Sequence, residues 1–196
     1  MKWWPFIKNK KTDDSSFWLL VGLGNPGKRY SLTKHNAGRL WLEDLNKSDK
    51  WQGQELSLDN RLEGLLAQGE LWGQSIYILL PEVFMNNSGK AVINFKKRYG
   101  LNPANLIVVH DDVDLDWGMV RSGFDRGAGG HKGVSNIFKH LGSSSFFRLR
   151  LGVGRPPAGQ SVSDYVLRPA TVELQEPGRI WSEADSKLKE IITGNC

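Results

Sequence analysis

Phe17-Trp18-Leu19-Leu20-Val21-Gly22-Leu23-Gly24-Asn25-Pro26-Gly27 is the stretch on which the fold turns. From Phe17 to Val21 it is apolar without alternation, and it ends at a glycine. A short continuous apolar run bounded by turn residues is the signature of a strand buried on both faces. A loop rich in Gly, Asn and Pro follows, from Leu23 to about Thr33. Then Ala37, Leu40, Trp41 and Leu45 recur at helical spacing from His35 to about Leu45. Strand, loop and helix in that order open an α/β layer fold.

The rest of the chain extends the same pattern. Leu62 to Leu71 and Ser75 to Leu80 are predicted strands joined by a turn at Trp72-Gly73. Ser88 is placed to cap a helix that carries Ala91, Val92, Phe95 and Tyr99 on one face and stops at Gly100. Leu106 to Val109 is a second buried strand, running into His110-Asp111, and Met119 to Ser122 a further strand. A glycine-rich loop leads to a helix around Gly133 to Leu141. Phe147 to Val153 alternates Phe147, Leu149 and Leu151 with Arg148 and Arg150, one face apolar and one basic. A last helix runs from about Pro177 to Ile192. No repeat or linker interrupts the chain. The expectation is one α/β domain over 17–196, a mixed, largely parallel twisted sheet flanked by helices, preceded by a basic, Trp-containing extension at 1–16.

Composition narrows the class. The chain has 196 residues, 39% hydrophobic and 24% charged, enough for one sizeable core. Its one cysteine is Cys196, which excludes an internal disulfide framework or a cysteine-based metal cluster and fits a reducing compartment. No apolar run reaches membrane-spanning length, and the N-terminus lacks the apolar centre of a signal peptide. The net charge of +5 favours an anionic partner. Its distribution says more. Between Met119 and Pro156, Arg121, Arg126, Lys132, Lys139, Arg148, Arg150 and Arg155 face a single acid, Asp125.

Several motifs mimic chemistry. Gly22-x-Gly24-x-x-Gly27 has dinucleotide-loop spacing, but Pro26 turns Asn25 away from helix just where that motif needs one to start. Asp112-x-Asp114-x-Asp116 resembles the start of a calcium loop, yet Trp117 and Gly123 stand where glycine and glutamate are required. His110, Asp111 and Asp112 lack a second histidine at ligand spacing on the same element. No Gly-x-Ser-x-Gly elbow is present, and a terminal cysteine is a poor nucleophile.

What remains is a set of polar clusters at the ends of apolar elements: Asn25 in Gly-Leu-Gly-Asn-Pro-Gly, Lys34-His35-Asn36, Phe84-Met85-Asn86, His110-Asp111-Asp112, and Gly129-Gly130-His131-Lys132-Gly133. In an open α/β sheet, loops at the carboxyl ends of strands gather into one crevice. A histidine, a carboxylate and amides in one crevice suit hydrolysis. The histidine takes a proton from water, the carboxylate orients it, and amides hold the carbonyl under attack.

In these segments, together with Tyr30, Arg-Leu-Arg-Leu-Gly-Val-Gly-Arg-Pro at Arg148–Pro156 and Asp-Tyr-Val-Leu at Asp164–Leu167, the chain resembles the bacterial-type peptidyl-tRNA hydrolases. The motifs keep their order over about Leu19 to Leu167. The resemblance implies a monomeric cytosolic enzyme with no metal or cofactor. Its substrate would be peptidyl-tRNA, cleaved at the ester between the peptide and the terminal ribose. It implies His35 as catalytic base and Asp111 as its orienting partner. Asn25 and Asn86 would position the substrate, with Tyr30, Phe84 and Met85 lining the cleft. Arg150 would lie on the tRNA path, with Arg148 beside it on the same face and Arg126 on the glycine-rich loop. Phosphate contacts of this kind bind without reading sequence, which suits an enzyme that accepts many tRNAs.

The chain departs from the family at Lys132, a substrate-binding candidate that replaces the usual Asn of Gly-Gly-His-Asn-Gly, and the expectation is an active enzyme with altered substrate positioning. Lysine donates only, whereas asparagine also accepts. Val83 stands where Thr is common, and Gly123 where a basic residue is common. The rival expectation is a non-catalytic RNA-binding protein on the same fold, as in plant organelle splicing relatives; retention of His35, Asp111, Asn25 and Asn86 opposes it. No membrane partner is expected.

Overall fold

The computed structural model describes residues 17–170 and 178–194. The extension at 1–16 and Cys196 lie outside the described residues. β1 (Trp18–Gly22) is fully buried from Leu19 to Val21, as its unbroken apolar run requires. Two short 3-10 turns, at Lys28–Tyr30 and Lys34–Asn36, lead into α1 (Ala37–Lys47). Two brief strands that the sequence pattern does not reveal follow, β2 (Gln52–Gly53) and β3 (Ser57–Asp59). β4 (Gly64–Leu71) and β5 (Gln74–Pro81) form the expected hairpin. At its tip Trp72 and Gly73 have φ of 50° and 76°, the doubly left-handed turn that matches strand twist.

α2 (Ser88–Tyr99) ends at Gly100, whose left-handed φ of 74° stops the helix. Its N-cap is Asn87, not Ser88. Ser88 is already helical, and its hydroxyl donates back to the Met85 carbonyl at 2.8 Å. β6 (Leu106–Asp112) carries its strand geometry through His110 and Asp111. β7 (Val120–Phe124), α3 (Lys132–Leu141), β8 (Phe147–Gly152), the short α4 (Val162–Leu167) and α5 (Gly178–Thr193) complete the chain. Pro177, taken from sequence as the start of the last helix, lies outside the described residues. Among the described residues no helix is long and apolar enough to cross a membrane.

The sheet has eight strands in the order β2-β4-β5-β1-β6-β8-β7, with β3 paired to β4. It is mixed: β5, β1, β6 and β8 are parallel, while β2, β3 and β4 on one flank and β7 on the other are antiparallel. Alternate residues of the parallel strands feed two cores. Leu20, Ile107, Val109 and Leu149 meet Trp41 and Leu42 of α1 and Ala184 and Leu188 of α5. Leu19, Val21 and Val108 meet Val92 and Phe95 of α2 and Val134 and Ile137 of α3. β1 lies between β5, reached first, and β6, reached by crossing back past it. That reversal of direction opens a crevice beyond the carboxyl ends of these strands.

Candidate active site

Gly38 governs how the first catalytic candidate is placed. A Cβ on it would stand 2.2 Å from the Val109 carbonyl oxygen, so only glycine lets the start of α1 press onto β6. The preceding 3-10 turn thereby sets His35 over the end of β6. His35 Nδ1 lies 2.9 and 3.2 Å from the two carboxylate oxygens of Asp111.

Asp111 is almost fully buried and also receives His131, whose Nε2 is 3.0 Å from Oδ1. An ionised carboxylate only accepts, so both histidines donate. This fixes their tautomers. His35 carries its proton on Nδ1 and presents a basic Nε2. His131 carries its proton on Nε2 and accepts from the Val134 N–H at 3.4 Å, capping α3. Burial works to protonate Asp111, but the two imidazoles outweigh it and hold the carboxyl well below the usual range. Underneath, His110 Nδ1 donates to the Asp111 carbonyl oxygen at 2.7 Å. Burial and then His131 push His110 down to about 3, so it is a neutral strut. The His35–His131 and His110–His131 ring centroids are 4.8 and 4.7 Å apart, a column of three imidazoles around one carboxylate.

Asn25, at the end of the β1 loop, is held from two sides. Asn36 accepts from the Asn25 N–H at 2.8 Å and donates to its carbonyl at 2.9 Å, closing a backbone clamp. The Asn25 side-chain oxygen accepts the Met85 N–H at 2.8 Å. With the oxygen engaged, the amide NH2 is the end left to face the cleft, and it donates. Arg39 secures the neighbouring turn through Glu43, Glu82 and the Pro81 carbonyl. The first two glycines of the dinucleotide-like motif serve packing: Cβ atoms at Gly22 and Gly24 would stand 2.8 Å from Gly38 and Arg39 of α1.

Asn25, His35, His110, Asp111 and His131 line a cleft of about 1050 Å³ that also takes in Phe84, Met85, Asn86, Arg126, Lys132 and Arg150. Met85 is buried in its floor, while Phe84 and Asn86 are exposed at its wall. Tyr30 stands one layer out, edge-on to Phe84 at 6.3 Å. Val162, Val166 and Leu167 add an apolar wall from α4, an element unseen in the sequence.

Arg148 requires a correction. The sequence pattern groups it with Arg150 as a tRNA contact, but it is 1% exposed. The guanidinium lies over Phe138 and Phe146, at 4.7 and 4.3 Å, and donates to the Ser144 and Phe146 carbonyls. Alternation correctly puts it on the face opposite Leu149, but α3 covers that face. Burial, offset in part by Asp125, lowers its pKa to about 10. A phosphate cannot reach it. Arg150 is partly exposed and paired with Asp112 at 3.1 Å.

Sequence reasoning passed over Asn36 and His131, although both lie inside quoted motifs. Neither contact is local: the partners are 11 and 20 residues away. His35, Asp111 and His131 form the one cluster of this kind among the described residues with ligand atoms within 4.8 Å of one another. They could hold a metal ion, but only by giving up the two hydrogen bonds to Asp111.

Fold and site define a class: a single-domain α/β hydrolase whose carboxylate-oriented histidine lies beyond the ends of parallel strands. The comparisons narrow it. Residues 19–195 match the family described as Peptidyl-tRNA hydrolase. The chain is similar to the peptidyl-tRNA hydrolase of Cupriavidus necator, 42% identical over 166 residues that cover 81% of this chain and 82% of that one. It is 43% identical over 152 residues to that of Moorella thermoacetica, covering 77% of each. The crystal structure of peptidyl-tRNA hydrolase from Acinetobacter baumannii superposes with a TM-score of 0.81 at 35% identity, covering 94% of this chain and 92% of that chain. The chain belongs to the peptidyl-tRNA hydrolase family.

Proposed function

We propose that the chain hydrolyses the ester between peptide and tRNA through a water activated by His35. The observation that carries this is the His35–Asp111 contact at 2.9 Å, which leaves Nε2 as the free base at the cleft. Nε2 takes a proton from water, and the resulting hydroxide adds to the ester carbonyl. When the tetrahedral adduct collapses, the C–O bond to the terminal ribose breaks and the imidazolium returns its proton to the departing ribose oxygen. Asp111 keeps the ring in the required tautomer and stabilises the transient imidazolium; His131 and His110 hold Asp111. The Asn25 amide donates to the carbonyl, Asn86 helps to position the substrate, and Phe84 and Met85 bound the cleft that receives it, with Tyr30 backing Phe84. No covalent intermediate and no metal or cofactor enters the scheme, since an ester leaves readily enough for an activated water. The chain acts as a monomer in this reading. Such a substrate belongs to the cytosol, where translation occurs.

Asp111→Asn tests the pairing. It can no longer accept equivalently from both histidines, and kcat should fall about 10²–10⁴-fold with KM little changed. Unchanged kcat would refute the pairing. A non-catalytic RNA-binding role would instead show tRNA binding with no cleavage by the unaltered protein.

A further inference from the structure

The cleft wall carries Arg126, Lys132, Arg150 and Arg155, and they are not equivalent. Arg150 is neutralised by Asp112 at 3.1 Å and Arg155 by Asp114 at 2.6 Å. Arg126 and Lys132 are exposed, and neither has a carboxylate within 4.0 Å among the described residues. The uncompensated positive charge of the cleft therefore sits at two positions, Arg126 on the loop after β7 and Lys132 at the first residue of α3. Gly123 on β7 makes room for one of them. A Cβ there would lie 3.1 Å from Arg126 Cγ and 3.2 Å from Nε, so the Arg126 side chain runs across the bare Cα. The chemistry lies deeper, with the His35 and Asp111 side chains only 13% and 3% exposed.

We infer that Arg126 and Lys132 grip the last phosphodiesters of the tRNA 3′ end, leaving Arg150 a secondary, internally paired cation. This rests on the reading of the chain as a peptidyl-tRNA hydrolase. A phosphodiester needs donors and positive charge and no acceptor, which lysine supplies and asparagine does not. Lys132 thus acts on the tRNA, outside the water-activating step. In this chain, the side chain missing at Gly123 and the lysine at 132 are two parts of one rearranged phosphate site.

The test compares two substrates, a peptidyl-tRNA and an N-acetylated aminoacyl ester of adenosine that has no phosphate. Lys132→Gln and Arg126→Gln should each lower kcat/KM on peptidyl-tRNA about five-fold, mainly through KM. Each should also make the dependence of log kcat/KM on log salt shallower by about 0.7, the release expected for one single-strand phosphate contact. The loss should be confined to the phosphate-bearing substrate, and Lys132→Arg should retain the salt slope. Equal losses on both substrates, or an unmoved slope, would overturn the inference while leaving the hydrolase intact. Failure of the unaltered protein to cleave either substrate would overturn the hydrolase reading, and this inference with it.

Discussion

Asp111 organises the site as an acceptor shared by two histidines, and its neighbours can be probed one atom at a time. Asn36 uses both ends of its amide to clamp the Asn25 backbone and is 1% exposed. Asn36→Ala should destabilise the fold by about 2 kcal/mol, because it leaves a buried N–H and carbonyl unpaired. It should also lower kcat/KM about tenfold as Asn25 loosens. Chemical denaturation and steady-state kinetics on the same preparation measure both effects. Arg148 gives the opposite expectation. Its Nε and Nη2 are buried without a partner. Arg148→Met should leave tRNA affinity and its salt dependence unchanged, with stability equal or raised by about 1 kcal/mol. A loss of affinity would contradict its placement beneath α3. The sequence shows that Arg148 and Arg150 share a face. It does not show that Phe138 covers one and leaves the other at the cleft. His131 and Asn36 were hidden for a related reason, since a hydrogen bond between distant residues leaves no local pattern.

At the scale of elements, the approach of α1 to β6 sets the catalytic distance. Gly38→Ala would force the Val109 backbone and α1 apart. The expected cost is about 1–3 kcal/mol of stability, together with a fall in turnover larger than that of substrate binding, because His35 moves away from Asp111. Thermal unfolding and a kcat–KM comparison read these separately, and a neutral variant would refute the close approach. The elements legible in the sequence were those with clear periodicity, continuous burial or a turn signal: β1, the β4–β5 hairpin, β6, β7, β8, α1, α2, α3 and α5. β2 is only two residues long, and neither β2 nor β3 buries a residue, so no hydrophobic period marks them. α4 buries only Val166, again too little for a pattern. The sheet was expected to be mixed and largely parallel. Its four central strands are parallel, and the antiparallel flanks depend on pairings that no single strand encodes.

At the scale of the whole molecule, buried titration links stability to pH. His110 is protonated in the unfolded chain below its ordinary value of 6.5 but stays neutral in the fold down to about 3. The unfolded state then binds more protons, so His110 contributes fully above 6.5 and its contribution declines as pH falls toward 3. Asp111 has the same sign at lower pH: its contribution is present above the ordinary carboxylate range and lost below it. Stability should fall by up to about 1.4 kcal/mol per pH unit on account of His110. His110→Asn, which keeps a donor for the Asp111 carbonyl, should flatten that slope in denaturation curves between pH 6.5 and 4.

The proposed hydrolysis depends first on His35 as the base. The most direct measurement is peptidyl-tRNA hydrolysis by the unaltered protein and by His35→Ala, with tRNA binding followed in parallel. The expected result is cleavage by the former, a fall in kcat of about 10²–10⁴-fold in the variant, and binding retained in both. Cleavage by His35→Ala at the unaltered rate, or binding without cleavage by the unaltered protein, would contradict it.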